Sequence, residues 1–120
     1  MEPVPTEIRL RKRDRVLTLV YEDGRRFDLD FEYLRVHSPS AEVRGHGPGQ
    51  EVLQTGKQNV SVDAVEPVGH YAVRLRFDDG HDTGLYTWKY LYELGSEYDE
   101  RRQAYLDRLE AAGYPRGDDS

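Results

Sequence analysis

The first third of the chain has the apolar and polar pattern of paired β-strands. Thr6–Arg13 alternates apolar with charged side chains, and Arg15–Tyr21 is rich in β-branched and apolar residues, so both segments predict strands. Asp23-Gly24 predicts a tight turn, because a two-residue hairpin loop needs positive φ. Arg25–Leu29 is then the returning strand. The pattern indicates antiparallel strands that follow one another in sequence order.

A second hairpin pattern lies beyond the middle of the chain. Val60–Val68 predicts a strand that is interrupted near Asp63 and Ala64, and Tyr71–Phe77 has the cleanest alternation in the sequence. Asp79-Gly80 supplies the turn, and His81–Tyr86 is the expected returning strand.

Short helices are predicted between and after the hairpins. Phe31–Val36 fits either one helical turn or the end of a strand. Ser38–Gly45 fits a short helix with Ser38 as its N-cap and Pro39 at the first helical position, where the missing N–H costs nothing. Thr87 can cap another helical turn that runs through Leu94.

The last helix is predicted from its cap and its apolar stripe. Ser96 is the expected N-cap, with Asp99 three residues later in a variant capping box. Apolar residues then recur at helical spacing, at Tyr98, Tyr105, Leu109 and Ala112. We expect an α+β fold of antiparallel β-hairpins or small sheets with a C-terminal helix. A single domain should span residues 6–112, with flexible tails at 1–5 and 113–120 and a turn-rich loop at 46–49.

Composition excludes several classes of function. The 120 residues include no cysteine, which removes disulfides, thiolate metal sites and cysteine nucleophiles. The formal net charge of −6 argues against general nucleic-acid binding, and the basic cluster Arg9–Arg15 is typical of a solvated strand face. No apolar run approaches the roughly 20 residues of a membrane helix, and the N-terminus lacks a signal-peptide pattern. We expect a cytoplasmic protein that binds neither membrane nor nucleic acid.

The four histidines do not form a known metal-binding pattern. None has the spacing of a facial triad or of a helical zinc-protease motif. His81 is the most suggestive, because Asp78, Asp79 and Asp82 surround it at a hairpin turn. It could bind a metal weakly with Asp79, Asp82 or His37, or it could simply pack on Trp88 or Tyr86.

Two other constellations are better explained by structure. Ser38 or Ser40 with a histidine and an aspartate could suggest a hydrolase triad, but no Gly-x-Ser-x-Gly turn is present and such serines commonly cap helices. The glycines at 45, 47 and 49 lack the strand-to-helix context of a phosphate-binding loop.

Aromatic residues are dense around the second hairpin. Tyr86, Trp88 and Tyr90 could fill the seam between sheet and helix, or they could form an interaction surface.

Five short motifs, in this order, resemble those of a small bacterial domain family of unknown function: Tyr33-Leu-Arg-Val36, Ser38-Pro-Ser-Ala-Glu-Val43, Gly69-x-Tyr71, Phe77-x-Asp79-Gly-His81 and Gly84-Leu-Tyr-Thr-Trp88-x-Tyr-Leu91. That family is similar to the N-terminal domain of gamma-butyrobetaine hydroxylase and trimethyllysine hydroxylase. The same domain is attached to some ATP-binding iron–sulfur carrier proteins, which hints at iron-related biology.

The resemblance also implies a lost zinc site. In the hydroxylases a Cys-x-Cys-x-x-Cys motif and a later histidine hold a structural zinc, and the matching positions here are Ser38, Ser40, Val43 and His81. Only the histidine is kept, so we expect no cysteine-type zinc site. The iron and 2-oxoglutarate domain of the hydroxylases is not expected either.

These observations lead to two functional predictions. The first is a non-catalytic module without a cofactor that docks onto a protein partner or onto a second copy of itself, through a surface that includes Tyr86, Trp88 and Tyr90. The alternative is an accessory protein that binds iron or zinc weakly through His81 and nearby carboxylates. An independent enzyme is the least favoured function.

Overall fold

The computed structural model describes residues 3–45 and 51–114. Within them the chain forms two antiparallel sheets of three strands each, in the orders β1-β2-β3 and β4-β5-β6. Helices follow each sheet. In chain order the elements are β1 Glu7–Arg11, β2 Val16–Val20, β3 Arg26–Asp30, α1 Phe31–Val36, α2 Ala41–Arg44, β4 Val62–Val68, β5 Ala72–Phe77, β6 Leu85–Thr87, α3 Trp88–Ser96 and α4 Tyr98–Ala111.

This arrangement confirms the predicted α+β fold. Both Asp-Gly sequences lie in hairpin turns, with positive φ at Gly24 and Gly80. The expected interruption of the fourth strand is a register shift between Val62 and Ala64. The domain limits and the tails stay predictions, and the loop at 46–49 lies outside the described residues.

Both sheets contribute to one hydrophobic core. Leu17, Leu19 and Leu29 enter it from the first sheet, and Val62, Val73 and Leu75 enter it from the second. Leu34 of α1 and Leu91 and Leu94 of α3 complete its centre. A smaller cluster joins Val36 to Tyr105 and Leu109 of α4, so the C-terminal helix is anchored beside α1. None of the described helices has the length and apolarity that crossing a membrane requires.

Several predicted element ends are wrong. The helix after Ser38 is only Ala41–Arg44, and its N-cap is Ser40, whose side chain accepts a hydrogen bond from Glu42 N. The segment Phe31–Val36, for which a helical turn and a strand end were both open, is a helix capped by Asp30. The strand expected at 81–86 is reduced to Leu85–Thr87.

The start of the last helix also differs from its prediction. Ser96 belongs to the end of α3, and α4 begins at Tyr98 after Glu97, with no side-chain hydrogen bond at the cap. Tyr105 and Leu109 are buried as predicted, whereas Ala112 is exposed just beyond the helix. Thr87 does cap α3, since its side chain accepts from Tyr90 N.

Candidate functional site

The imidazole of His81 is buried and is hydrogen-bonded through both ring nitrogens, to α2 and to the residues just before it. Its Nε2 lies 2.8 Å from Ser38 Oγ, and its Nδ1 lies 3.1 Å from Glu42 Oε2. Ser38 is 1% exposed and His81 is 5% exposed. We call these three residues, together with Ser40 and Thr83, the serine–histidine cluster.

The two sides of this cluster come from distant parts of the chain. Ser38 and Ser40 lie just before α2, and His81 and Thr83 follow the Asp79-Gly80 turn. The turn fixes the histidine backbone, because Phe77 N donates to His81 O at 2.9 Å. A third side-chain contact joins Ser40 Oγ to Thr83 Oγ1 at 2.7 Å. Three side-chain contacts therefore connect the second hairpin to α2 and the residues just before it.

The hydrogen bonds assign the tautomer of His81. A carboxylate can only accept, so Glu42 places the proton on Nδ1 and leaves Nε2 to accept from the Ser38 hydroxyl. Ser38 Oγ in turn accepts from Ser40 N at 3.2 Å. Burial lowers the pKa of His81, the nearby Arg35 charge lowers it further, and Glu42 offsets part of the shift. The neutral imidazole is the form that this environment favours.

The aspartates near His81 in sequence have other partners. Asp79 accepts from Arg35 Nε at 2.9 Å and from Lys57 Nζ at 2.7 Å. Burial opposes its ionised form, but hydrogen bonds from Lys57, the His81 backbone and Arg35 lower the pKa of Asp79 to about 2. Asp78 accepts from Ser61 N at 3.0 Å, and Asp82 pairs with Arg76 at 3.8 Å. The predicted carboxylates therefore serve the turn and its ion pairs.

His37, the other histidine considered as a metal ligand, has a different partner. His37 Nδ1 lies 2.9 Å from the Tyr33 carbonyl oxygen, and His46 lies outside the described residues. Across residues 3–45 and 51–114, no group of three or more histidine, aspartate or glutamate side chains is arranged to hold a metal ion. The carboxylate that does reach His81 is Glu42, which sequence reasoning missed. Its position in the first turn of α2, within four residues of Ser38, was the available signal.

The positions that correspond to the hydroxylase zinc ligands do not fit zinc. Ser38 and Ser40 offer protonated hydroxyls that are engaged in hydrogen bonds, and the Val43 side chain has no donor atom. A structural zinc prefers thiolate and imidazole ligands. The structure does bring Ser38 onto His81. A hydrogen-bonded contact thus occupies the place that the resemblance assigns to a metal.

Ser38, His81 and Glu42 contact one another in the order of a hydrolase triad. A nucleophilic serine also needs space for a substrate carbonyl and donors for the oxyanion. Here Gly84 packs so closely that a Cβ at that position would lie 2.5 Å from Ser38 Oγ. The hydroxyl is buried and already bonded to Ser40 N and His81. This closed geometry favours a structural role for Ser38.

An open groove lies beside the serine–histidine cluster, between the α1–α2 segment and the helices α3 and α4. Its cavity volume is about 890 Å³. We call it the Tyr90 groove. The lining combines apolar with charged side chains, including Val43, Arg44, Val52, Leu85, Lys89, Tyr90, Glu93, Arg101 and Arg108.

Tyr90 is held firmly within this groove. Its hydroxyl donates to the His37 carbonyl oxygen at 2.5 Å, and its backbone N donates to Thr87 Oγ1 at 3.1 Å. The guanidinium carbon of Arg44 lies 4.8 Å from the ring centroid and that of Arg101 lies 5.8 Å away. The groove therefore contains a fixed aromatic ring with two guanidinium groups beside it.

The three predicted surface aromatics have different environments. Tyr86 is fully buried at 0% exposure, and its hydroxyl donates to Leu34 O at 2.5 Å. The prediction that Tyr86 is a surface residue is therefore wrong. A buried ring whose hydroxyl reaches a carbonyl acceptor is typical of a core tyrosine. Trp88 is half-buried and donates from Nε1 to His70 O at 2.8 Å, and half-buried Tyr90 lines the groove.

Comparison with known proteins identifies similar domains. The family profile described as gamma-butyrobetaine hydroxylase-like, N-terminal, matches residues 8–92. Two structures determined by NMR in solution are 52% and 51% identical to this chain, with TM-scores of 0.84 and 0.80. The first match covers 97% of this chain and 91% of the other, and the second covers 95% and 85%.

A crystal structure from Acidithiobacillus ferrooxidans is also similar. It is described as a protein of unknown function in the DUF971 family. It is 45% identical, with a TM-score of 0.65, over 80% of this chain and 94% of the other. No curated protein matches the chain.

Proposed function

Because the chain belongs to the gamma-butyrobetaine hydroxylase-like, N-terminal family, we propose that it is a non-catalytic module that docks onto a protein partner through the Tyr90 groove. The observation that supports this proposal is the exposed apolar surface of the groove. Val52 is 52% exposed and Leu85 is 41% exposed, and both line the groove beside Tyr90. Apolar side chains gathered around a fixed aromatic ring are typical of docking sites.

The closed serine–histidine cluster also supports a non-catalytic role. The Ser38 hydroxyl and both ring nitrogens of His81 have hydrogen-bond partners within the protein. Catalytic groups normally face a pocket that a substrate can enter. Ser38 borders the Tyr90 groove but is only 1% exposed. The cluster connects α2 to the second hairpin, and α2 carries Val43 and Arg44 into the groove. It therefore holds one wall of the proposed docking surface.

The charge of the chain favours a different protein over a second copy as the partner. Each copy carries a formal net charge of −6, so two copies repel one another at a distance. Self-association through the groove is the competing outcome.

Site-specific photo-crosslinking tests the proposal. A benzophenone amino acid replaces Leu85 in the groove or, as the control, exposed Glu22 in the β2–β3 turn. Proteins captured in the source cells are identified by mass spectrometry, produced in pure form and titrated with the unlabelled chain. We expect a partner that crosslinks from position 85, does not crosslink from position 22, and binds the purified chain.

The proposal fails if capture from the two positions is equal, or if no captured protein binds when purified. Light scattering on the purified chain separates the competing outcome, because a stable dimer that crosslinks to itself at position 85 would assign the groove to self-association.

The metal-binding alternative, the absence of a cofactor and the cytoplasmic location stay predictions. No contact of the described residues favours the metal-binding alternative. Metal analysis of the purified chain beside its His81→Ala variant tests it, and a stoichiometric ion that the variant loses would restore it.

A further inference from the structure

Three basic side chains of the Tyr90 groove have no acidic partner within the described residues. Arg44, Lys89 and Arg108 are exposed and line the groove. Nine other lysine and arginine side chains form ion pairs, among them Arg101, which pairs with Glu97 at 3.0 Å. Within residues 3–45 and 51–114, no carboxylate lies within ion-pair distance of these three.

Arg44 is arranged to receive an anion. A guanidinium that lies over an aromatic ring still has its in-plane N–H donors available, and those donors match a carboxylate in geometry. Arg44 is in this position over Tyr90, and the Tyr90 ring is fixed by its own hydrogen bond to His37 O. The cation is therefore positioned before any ligand arrives.

The local charge of the groove is opposite to that of the whole chain. Arg44, Lys89, Arg101 and Arg108 line it against Glu51 and Glu93, while the chain carries −6. A long polyanion such as a nucleic acid would meet repulsion from the rest of the surface. A short acidic segment could satisfy the local cations without extending over that surface.

We propose that the Tyr90 groove binds an acidic segment of the partner protein. A carboxylate of the segment pairs with Arg44 and Arg108, and a neighbouring aliphatic side chain of the segment covers Leu85 and Val52. This inference rests on the proposed docking function and specifies the chemistry of the partner.

Peptide titration followed by ¹⁵N–¹H NMR tests the inference. The probe is an acetylated hexapeptide of alternating glutamate and leucine, and two comparison peptides carry glutamine or lysine in place of glutamate. We expect the acidic peptide to shift the amide signals of Leu85, Lys89 and Tyr90. We also expect it to bind at least about tenfold more tightly than the glutamine peptide, the effect of a few added charge-assisted contacts.

Two variants with the same change of charge provide the control. Arg44→Gln with Arg108→Gln should weaken binding of the acidic peptide by about fivefold or more, as expected when two peripheral ion pairs are lost. Lys12→Gln with Arg13→Gln removes two positive charges from the exposed β1–β2 turn and should leave the affinity within about twofold, because exposed charges act weakly at a distance. Circular dichroism confirms that both variants remain folded.

Equal binding of the glutamate and lysine peptides, equal loss in the two variants, or shifts confined to other surfaces would overturn the inference. Failure of this inference can be distinguished from failure of the proposed docking function. A purified partner that crosslinks at position 85 through a segment without acidic residues would leave the docking function intact and remove this assignment.

Discussion

At the scale of single residues, Ser38 and Gly84 depend on one another. Ser38 Oγ lies where a Gly84 Cβ would approach to 2.5 Å, while the same oxygen binds His81 Nε2 and Ser40 N. Gly84→Ala should lower the free energy of unfolding by about 1–3 kcal/mol through overpacking. Ser38→Ala should lower it by about 1–3 kcal/mol through lost hydrogen bonds to buried groups. Urea unfolding of each variant measures both effects.

The double variant provides the control for this interpretation. Ser38→Ala removes the oxygen that the new methyl group would meet, so Gly84→Ala should be less destabilising in that background. Pro39 Cδ and Tyr86 Cε1 would still lie 3.2 and 3.3 Å from the new Cβ, so some cost remains. Strictly additive effects would show that the two residues do not interact.

The buried histidines predict a loss of stability in mild acid. Burial lowers the pKa of both His37 and His81 in the folded chain, whereas an unfolded histidine has a pKa of about 6.5. Below that pH the unfolded chain takes up protons that the folded chain resists, so the free energy of unfolding falls as the pH is lowered from about 7.5. The fall continues until the lowered folded pKa values are reached. Urea titrations at several pH values measure it.

Two features distinguish the contribution of His81 to this pH dependence from the contributions of other titratable groups. Asp79 has a folded pKa of about 2 against an ordinary 3.8, so its contribution is lost only in stronger acid. Glu42 raises the pKa of His81, and Glu42→Gln should therefore lower it further. Histidine side-chain NMR during a pH titration reports this directly. An unchanged or higher pKa for His81 in the variant would contradict the assigned contact.

At the scale of elements, the helix caps provide a direct test of two superficially equivalent residues. Thr87 accepts from Tyr90 N at 3.1 Å, so Thr87→Ala should cost about 1 kcal/mol of unfolding free energy. Ser96 fits the sequence pattern of a cap but lies at the end of α3. Ser96→Ala should change the free energy by less than about 0.5 kcal/mol, like an ordinary surface substitution. A larger loss from Ser96→Ala would mean that Ser96 caps α4.

The local sequence pattern predicted most of the helices and strands, because hydrophobic periodicity and Asp-Gly turns are signals carried by neighbouring residues. It failed where another part of the chain determines the boundary. The helical turn after Thr87 was expected to run through Leu94, yet α3 continues to Ser96 and includes Gly95, where a Cβ would meet Phe27 Cδ2 at 2.2 Å. The close approach of β3 to α3 explains this glycine. Such an approach leaves no trace in the residues that flank it in sequence.

At the scale of the whole molecule, the candidate site too was predictable from local sequence only in part. The resemblance placed Ser38, Ser40 and His81 at related positions, and the structure brings Ser38 to His81 across a separation of 43 residues. The sequence suggested Asp79 and Asp82 as metal ligands beside His81, but the carboxylate that contacts its ring is Glu42 of α2. The Tyr90 groove was not predicted as a groove, because its walls come from separate helices that a one-dimensional pattern does not bring together.

The shared core predicts that the two sheets unfold together. Leu19 of the first sheet and Leu75 of the second are fully buried in the same cluster, so neither sheet keeps a core without the other. Leu19→Ala and Leu75→Ala should each lower the free energy of unfolding by about 2–5 kcal/mol. Fluorescence of Trp88, the single tryptophan, reports on the junction of β6 and α3, and far-ultraviolet circular dichroism reports on the whole chain. In the parent chain and in both variants the two probes should give one coincident urea transition. If Leu19→Ala shifted the dichroism transition and left the Trp88 transition in place, the two sheets would be separate folding units.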